Sequence, residues 1–369
     1  MVEDIHSLSL SQQVGQLFCI GIAGAEIDSD TGDVLTEVAP GGICLFARNI
    51  RERQQTRDLL EALRYFVPVV PMLTIDQEGG LVDRLRRVMS PMPAASRLRT
   101  VDDARKLGSI TAESLRILGF NTNFAPVVDV IDGDRARHSN GLFSREFGRS
   151  VTEVVDLAGG FLRSLQDEGI VGCMKHFPGL GASRVDSHEE LPLVGIGENE
   201  FHDVDLHPYR ELFRSGSARC VMVAHAAFPE LSLQEIDKNG KLLPSSLSYN
   251  LITTLLRDEL GFSGLVITDD LEMGAIVKNY GIGEASKMAI NAGCDMVAIC
   301  ADQQSVLDGY RAVLAAAKSG EIDRPRLVAS LDRIAAFKRH FSSPLPFDLR
   351  RLDQLSREVV QLSDRLMRS

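Results

Sequence analysis

The stretch Gly169-Ile170-Val171-Gly172-Cys173-Met174-Lys175-His176-Phe177-Pro178-Gly179-Leu180-Gly181 decides how this chain is read. Its first six residues form a short apolar run with the character of a buried strand, which places Lys175 and His176 at its carboxyl end with glycines freeing the backbone beyond. Asp186-Ser187-His188 follows closely, so one strand-to-loop passage gathers an ammonium, two histidines and a carboxylate. A second apolar run, Gly264-Leu265-Val266-Ile267-Thr268, ends in Asp269-Asp270. Ionisable residues at the carboxyl ends of apolar strands are where α/β enzymes keep their active sites.

Similar runs recur along the chain, at 17–23, 41–46, 69–75, 123–130, 170–174, 219–224, 264–268 and 294–300. Amphipathic segments separate them. Leu247, Leu251, Ile252, Leu255, Leu256 and Leu260, for instance, fall on one helical face before Gly261 stops the helix. Eight strand-helix units predict an α/β fold of the (β/α)8 TIM barrel type. We expect one catalytic domain over residues 1–341 and a C-terminal helical extension over 342–369, with Arg350, Arg351, Glu358 and Arg365 on its polar side. An open doubly wound sheet shows the same alternation, but neither G-x-G-x-x-G nor G-x-x-x-x-G-K-[ST] is present, which removes the best support for nucleotide binding.

Composition narrows the function further. At 369 residues with 44% hydrophobic and 25% charged, the chain can bury a full globular core. A formal net charge of −11 argues against general affinity for nucleic acid or anionic membrane. The N-terminus, Met1-Val2-Glu3-Asp4, is acidic, and the first apolar run is too short for a membrane span, so a cytoplasmic location is expected. Six cysteines without CxxC spacing read as buried free thiols, and no obligate protein partner is evident.

A barrel gathers the carboxyl ends of its strands into one mouth. There the chain places Asp76-Gln77-Glu78-Gly79-Gly80, Asp129, Lys175-His176, His225 and Asp269-Asp270. Singly, each has a structural reading as a helix cap, a core histidine or a turn. Together they favour catalysis, because a barrel needs no acid or base at its mouth and buried charges are costly unless paired. A carboxylate nucleophile, a histidine suited to proton transfer near neutral pH and donors for a polyol are all available.

These motifs carry a family resemblance. Gly41-Gly42-Ile43-Cys44-Leu45-Phe46 with Arg48-Asn49, Asp76-Gln77-Glu78-Gly79-Gly80, Asn123-Phe124-Ala125-Pro126-Val127, Lys175-His176-Phe177-Pro178-Gly179, Asp186-Ser187-His188 and Thr268-Asp269-Asp270-Leu271-Glu272-Met273 occur in this order. The chain resembles the single-domain members of glycoside hydrolase family 3, most closely the cytoplasmic β-N-acetylglucosaminidases (β-hexosaminidases) of peptidoglycan recycling. The resemblance implies a retaining mechanism needing no cofactor or metal, with Asp269 as nucleophile, His188 as acid/base and Asp186 orienting it. Strand alternation alone leaves Asp269 and Asp270 open. The resemblance also assigns sugar binding to Asp76, Arg84, Arg145, Lys175 and His176, although the two arginines could also belong to a solvated or salt-bridged surface. The substrate it implies is a small glycan or muropeptide with terminal β-linked N-acetylglucosamine on 1,6-anhydro-N-acetylmuramic acid.

Leu180 and Leu81 depart from the pattern, standing where a histidine and an arginine are common. Two polar contacts are therefore expected to be missing. A glycoside phosphorylase is the nearest alternative, since a histidine acid/base tolerates an incoming anionic phosphate. A metal-dependent barrel hydrolase using His176, His188, His225 and Asp269 lacks the usual H-x-H after the first strand, and a dead sugar-binding barrel would not need Asp186, His188 and Asp269.

Overall fold

A computed structural model describes residues 4–137, 142, 144–184 and 190–368. Seven strands form one curled parallel sheet. In chain order its members are β1 (Phe18–Gly21), β2 (Gly42–Leu45), β3 (Met72–Ile75), β6 (Met174–Phe177), β7 (Cys220–Val223), β8 (Leu265–Asp270) and β9 (Met296–Ile299). Their spatial order is β3-β2-β1-β9-β8-β7-β6, so the first strands pair with the last across the sheet's middle. A further parallel pair, β4 (Thr122–Asn123) and β5 (Val171–Gly172), lies between the two outer members. Asn121 and Phe124 donate backbone N–H bonds to the carbonyls of Leu73 and Ile75, at 3.1 and 2.8 Å. These runs are buried, as expected of parallel strands covered on both faces, except for Asp269 and Asp270 at the end of β8, which are partly exposed.

All eight anticipated strand runs contain strand, with two changes. The run expected over 123–130 pairs regularly only at Thr122–Asn123 and touches its neighbour again at one bridge, Val127 to Lys175. Pro126 interrupts it, having no N–H to donate to a ladder. The run expected over 170–174 is divided at Cys173, whose N–H turns to the carbonyls of Asn123 and Ala125, and then continues to Phe177. Lys175 and His176 thus lie within β6 rather than beyond it. Cis peptide bonds precede Pro126, His176 and Pro178.

Between strands run amphipathic helices, among them α1 (Arg53–Phe66), α2 (Val101–Leu118) and α3 (Val151–Asp167). Helix α2 begins at a reciprocal cap, Thr100 with Asp103, which satisfies two of the orphan N–H groups at its start. The last helix, α4 (Leu349–Arg368), buries Leu352, Leu355, Val359, Leu362 and Leu366 and packs on α2. Of the four charged residues expected on its polar side, Arg351 grips Glu113 and Glu358, and Arg365 pairs with Asp103. All six cysteines are buried and free. No helix among the described residues is long and apolar enough to cross a membrane.

Candidate active site

The carboxyl ends of the sheet strands enclose a cavity of about 340 Å³, within the range of small-ligand sites. Asp76, Glu78, Arg84, Arg145, Lys175, His176, Asp269 and Asp270 line it, with Phe46, Leu180 and Met222 among its apolar walls. All five residues assigned to sugar binding and the assigned nucleophile therefore meet in one place. Asp186 and His188 lie outside the described residues.

Two of these positions are consecutive pairs, which an ideal strand would send to opposite faces. Local register shifts reconcile the pairs with one cavity. Between β6 and β7 the register slips across Met174 to Phe177, and between β8 and β9 it slips across Ile267 to Asp270. Each irregularity breaks the alternation where two neighbouring polar residues are needed, the usual work of a bulge beside a site. That is why alternation could not choose between Asp269 and Asp270.

The loop after β3 forms a short hairpin, Gln77–Gly79 against Val82–Asp83. Gly79 and Gly80 have φ of +90° and +59°, and a Cβ on Gly79 would sit 2.2 Å from the Pro93 carbonyl oxygen. Glycine is required there by conformation and by space. The turn carries Asp76 and Glu78 to either side of the Lys175 ammonium, whose Nζ lies 2.6 Å from Asp76 Oδ1 and 2.6 Å from Glu78 Oε1. Arg145 completes the group as a fork on Glu78, with Nε to Oε2 at 2.8 Å and Nη2 to Oε1 at 2.9 Å. It ignores the adjacent Glu146.

The centre of this four-membered network is nearly dry, with the Lys175 and Glu78 side chains 2% and 3% exposed, while Asp76 and Arg145 at its cavity side are 18% and 14% exposed. Two cations balance two carboxylates, the condition under which buried charge is tolerated. Burial alone would push Glu78 up, but Lys175 and Arg145 outweigh it and hold the carboxyl well below the usual range. Burial likewise disfavours the Lys175 ammonium, and the two carboxylates override it, raising its pKa above the ordinary lysine value.

His176 is fixed from behind. Its Nδ1 lies 2.8 Å from Asp129 Oδ2, and Asp129 Oδ1 accepts the Leu180 N–H at 2.7 Å. The carboxylate selects the Nδ1–H form, leaving Nε2 toward Arg145 Nη2 at 3.4 Å. His225 stands beside the end of β8, its Nδ1 2.7 Å from Ser246 Oγ and its Nε2 3.0 Å from the Asp270 carbonyl oxygen. With both ring nitrogens engaged, His225 is not disposed to ligate a metal.

The two aspartates at the end of β8 are pushed apart. For Asp269 burial raises the pKa, but His176, His225, the Asp270 N–H at 2.8 Å and Lys175 together lower it below the usual carboxylate value. Asp270 is raised to about 7, chiefly by burial and further by the charges of Glu272 and Asp269, against the Glu272 N–H that it accepts. The two adjacent acids thus sit in environments that favour different protonation states. Arg84 points into the cavity with its guanidinium 5.7 Å from the Phe46 ring centre, and its buried Nε has no partner among the described residues. A donor left open in this manner suits an incoming hydroxyl or carbonyl.

Glu78 and Asp129 were visible as polar residues at strand ends but drew no role from the sequence, and His225 drew one only as a ligand in the metal-dependent alternative. A carboxylate two residues from Asp76 in the same motif was the available signal for Glu78. Leu180 is buried in the cavity wall where a histidine is common, while Leu81 is two-thirds exposed and faces away from the cavity.

The family model for the glycosyl hydrolase family 3 N terminal domain matches residues 9–337. A β-hexosaminidase of Tolumonas auensis is 32% identical over 300 residues, spanning 79% of this chain and 86% of that protein. Among solved structures, a glycoside hydrolase family 3 β-N-acetylglucosaminidase from a Paenibacillus species superposes with a TM-score of 0.86 at 34% identity, over 97% of this chain and 69% of that one. A family 3 glycosyl hydrolase of Mycobacterium smegmatis superposes with a TM-score of 0.80 at 31% identity, over 90% of this chain and 98% of that one.

Proposed function

We propose, on the premise that this chain belongs to glycosyl hydrolase family 3 and is a glycoside hydrolase, that it is a retaining β-N-acetylglucosaminidase. One observation carries the reading. An aspartate whose surroundings favour its ionised form, Asp269, lines the same small cavity as a donor and acceptor set suited to sugar hydroxyls. In the first step the Asp269 carboxylate attacks the anomeric carbon as the glycosidic bond breaks, and His188, held by Asp186, gives its proton to the leaving oxygen. In the second, His188 takes a proton from water, which attacks the glycosyl ester and releases Asp269. Asp76 accepts from hydroxyls, while Arg84, Arg145 and Lys175 donate. His176, clamped by Asp129, presents its remaining ring nitrogen.

The substrate in this reading is terminal β-linked N-acetylglucosamine on 1,6-anhydro-N-acetylmuramic acid, with or without peptide, in cytoplasmic cell-wall recycling. Its support is the resemblance in the Asp186-Ser187-His188 segment. We also read the curled sheet as a closed (β/α)8 barrel over residues 1–341, with 342–369 as an appended helical unit. The backbone bonds from Asn121 and Phe124 to β3 support the closure.

Covalent trapping tests the proposal. A 5-fluoro N-acetylglucosaminyl fluoride, which keeps the 2-acetamido group, should label the wild-type protein and the Asp270→Ala variant, whereas Asp269→Ala should show neither labelling nor turnover. The opposite pattern moves the nucleophile to Asp270, and faster hydrolysis of glucosides than of N-acetylglucosaminides removes the substrate assignment.

A further inference from the structure

Behind the segment that carries Arg145 lies a second, larger recess of about 930 Å³. The two cavities share walls without sharing residues. Glu78, Val82 and Arg84 of the hairpin face the first cavity, while Gly80 and Leu81 at its tip face the second. Arg145 points into the first, and its neighbours Ser144 and Glu146 line the second. Both recesses are built from loops that follow strands at the same end of the sheet, and the hairpin and the Arg145 segment divide them.

The walls of this recess differ in charge. One, from the segment leading into α2, supplies Arg97 and Arg99. The other, from the segment leading into α3, supplies Glu146, Glu153 and Asp156 with Arg149 among them. No ion pair among the described residues engages Arg97, Arg99 or Arg149, and Arg99 reaches only the Ser96 carbonyl at 3.4 Å. Glu146 is the telling member. It is 7% exposed, and its Oε2 is buried without a hydrogen-bond partner among the described residues. Leaving such an oxygen unpaired is costly, and a ligand donor would recover that cost.

We propose that this recess is a binding subsite for a zwitterionic peptide borne by the leaving group of the substrate, its carboxylates on Arg97 and Arg99 and its amine or amide N–H on Glu146. The inference deepens the proposed function and rests on it. A peptide supplies carboxylates and donors spaced along one extended chain, which the opposed cationic and acidic walls match. A neutral sugar does not. The leaving group would cross the Arg145 segment, with N-acetylglucosamine in the first cavity and the peptide in the second.

The test compares N-acetylglucosaminyl-1,6-anhydro-N-acetylmuramic acid with and without a tripeptide, using wild type and the exposed double variant Arg97→Glu/Arg99→Glu. For the peptide-bearing substrate the variant should raise KM about tenfold, the effect of two solvent-screened charge pairs. Its kcat, and both constants for the peptide-free substrate, should stay at wild-type values. Glu146→Gln should raise KM for the same substrate alone. Equal effects on both substrates, or none on either, overturn the proposal. Calorimetric titration with the free tripeptide Ala-Glu-Lys separates the two readings: if wild type cleaves neither substrate, the functional assignment fails, and saturable tripeptide binding lost in the double variant still supports the subsite, while absence of binding refutes it.

Discussion

Replacing Glu78 by glutamine tests the reasoning about the buried network most directly. The substitution keeps the side chain's shape and removes one negative charge from between Lys175 and Arg145, which hold it by contacts of 2.6, 2.8 and 2.9 Å. Removing one partner of a buried ion pair costs about 3–5 kcal/mol, because the surviving charge stays buried and unmatched. Here two cations would be left with Asp76 alone, so a loss of about 4 kcal/mol is expected, measured by urea unfolding at pH 7. The pH dependence carries a second signature. Glu78 titrates below its unfolded value of about 4.3, so its stabilisation is present above that pH and is lost as pH falls through the lower, folded value. Glu78→Gln should therefore remove part of the stability loss that wild type shows below about pH 4.5. A loss under about 1 kcal/mol with an unchanged acid limb would mean that the network is wet and weakly coupled, refuting the account of how Lys175 and Arg145 are held.

Other expectations follow from the same site. His188→Ala should slow glycosylation by a natural disaccharide by about 10²–10⁴ while sparing a nitrophenyl glycoside, whose leaving group needs little protonation, and Asp186→Asn should show a milder version; equal losses would make His188 a positioning residue. Asp270 titrates above its unfolded value, so the stability it contributes is present below about pH 4 and lost as pH rises through about 7. Thermal unfolding of Asp270→Asn should lack that decline, and an unchanged slope between pH 4 and 7 would contradict the raised value. Chelation should leave activity intact; activity lost to a chelator and restored by zinc would reinstate the metal reading.

Much of this was readable from residue order. Apolar runs with ionisable ends marked the strands because parallel strands are buried on both faces and polar residues survive only at their tips. The short β4 was harder, since its apolar run continues through Pro126 while its pairing does not. Glu78 was hidden for a different reason: its partner Arg145 is 67 residues away, and nothing local distinguishes a bridging carboxylate from a turn residue. The roles of Asp269 and Asp270 depend on burial and on fields from His176 and His225, neither of which sequence spacing encodes.

Helix α4 has a consequence for how the protein is handled. Asp353 is tied to Arg53 at the start of α1, Glu358 to Lys106, and Arg365 to Asp103 on α2, while Arg53 also donates to the Val88 carbonyl in the segment beyond the hairpin. The tail is thus a strap across the two helices flanking β3, on the outside of the wall whose inside holds Asp76 and Glu78. Trimming it, or fusing a bulky carrier to it, would remove these ties from the two helices that precede and follow β3, and so loosen the outer support of the strand that leads into Asp76.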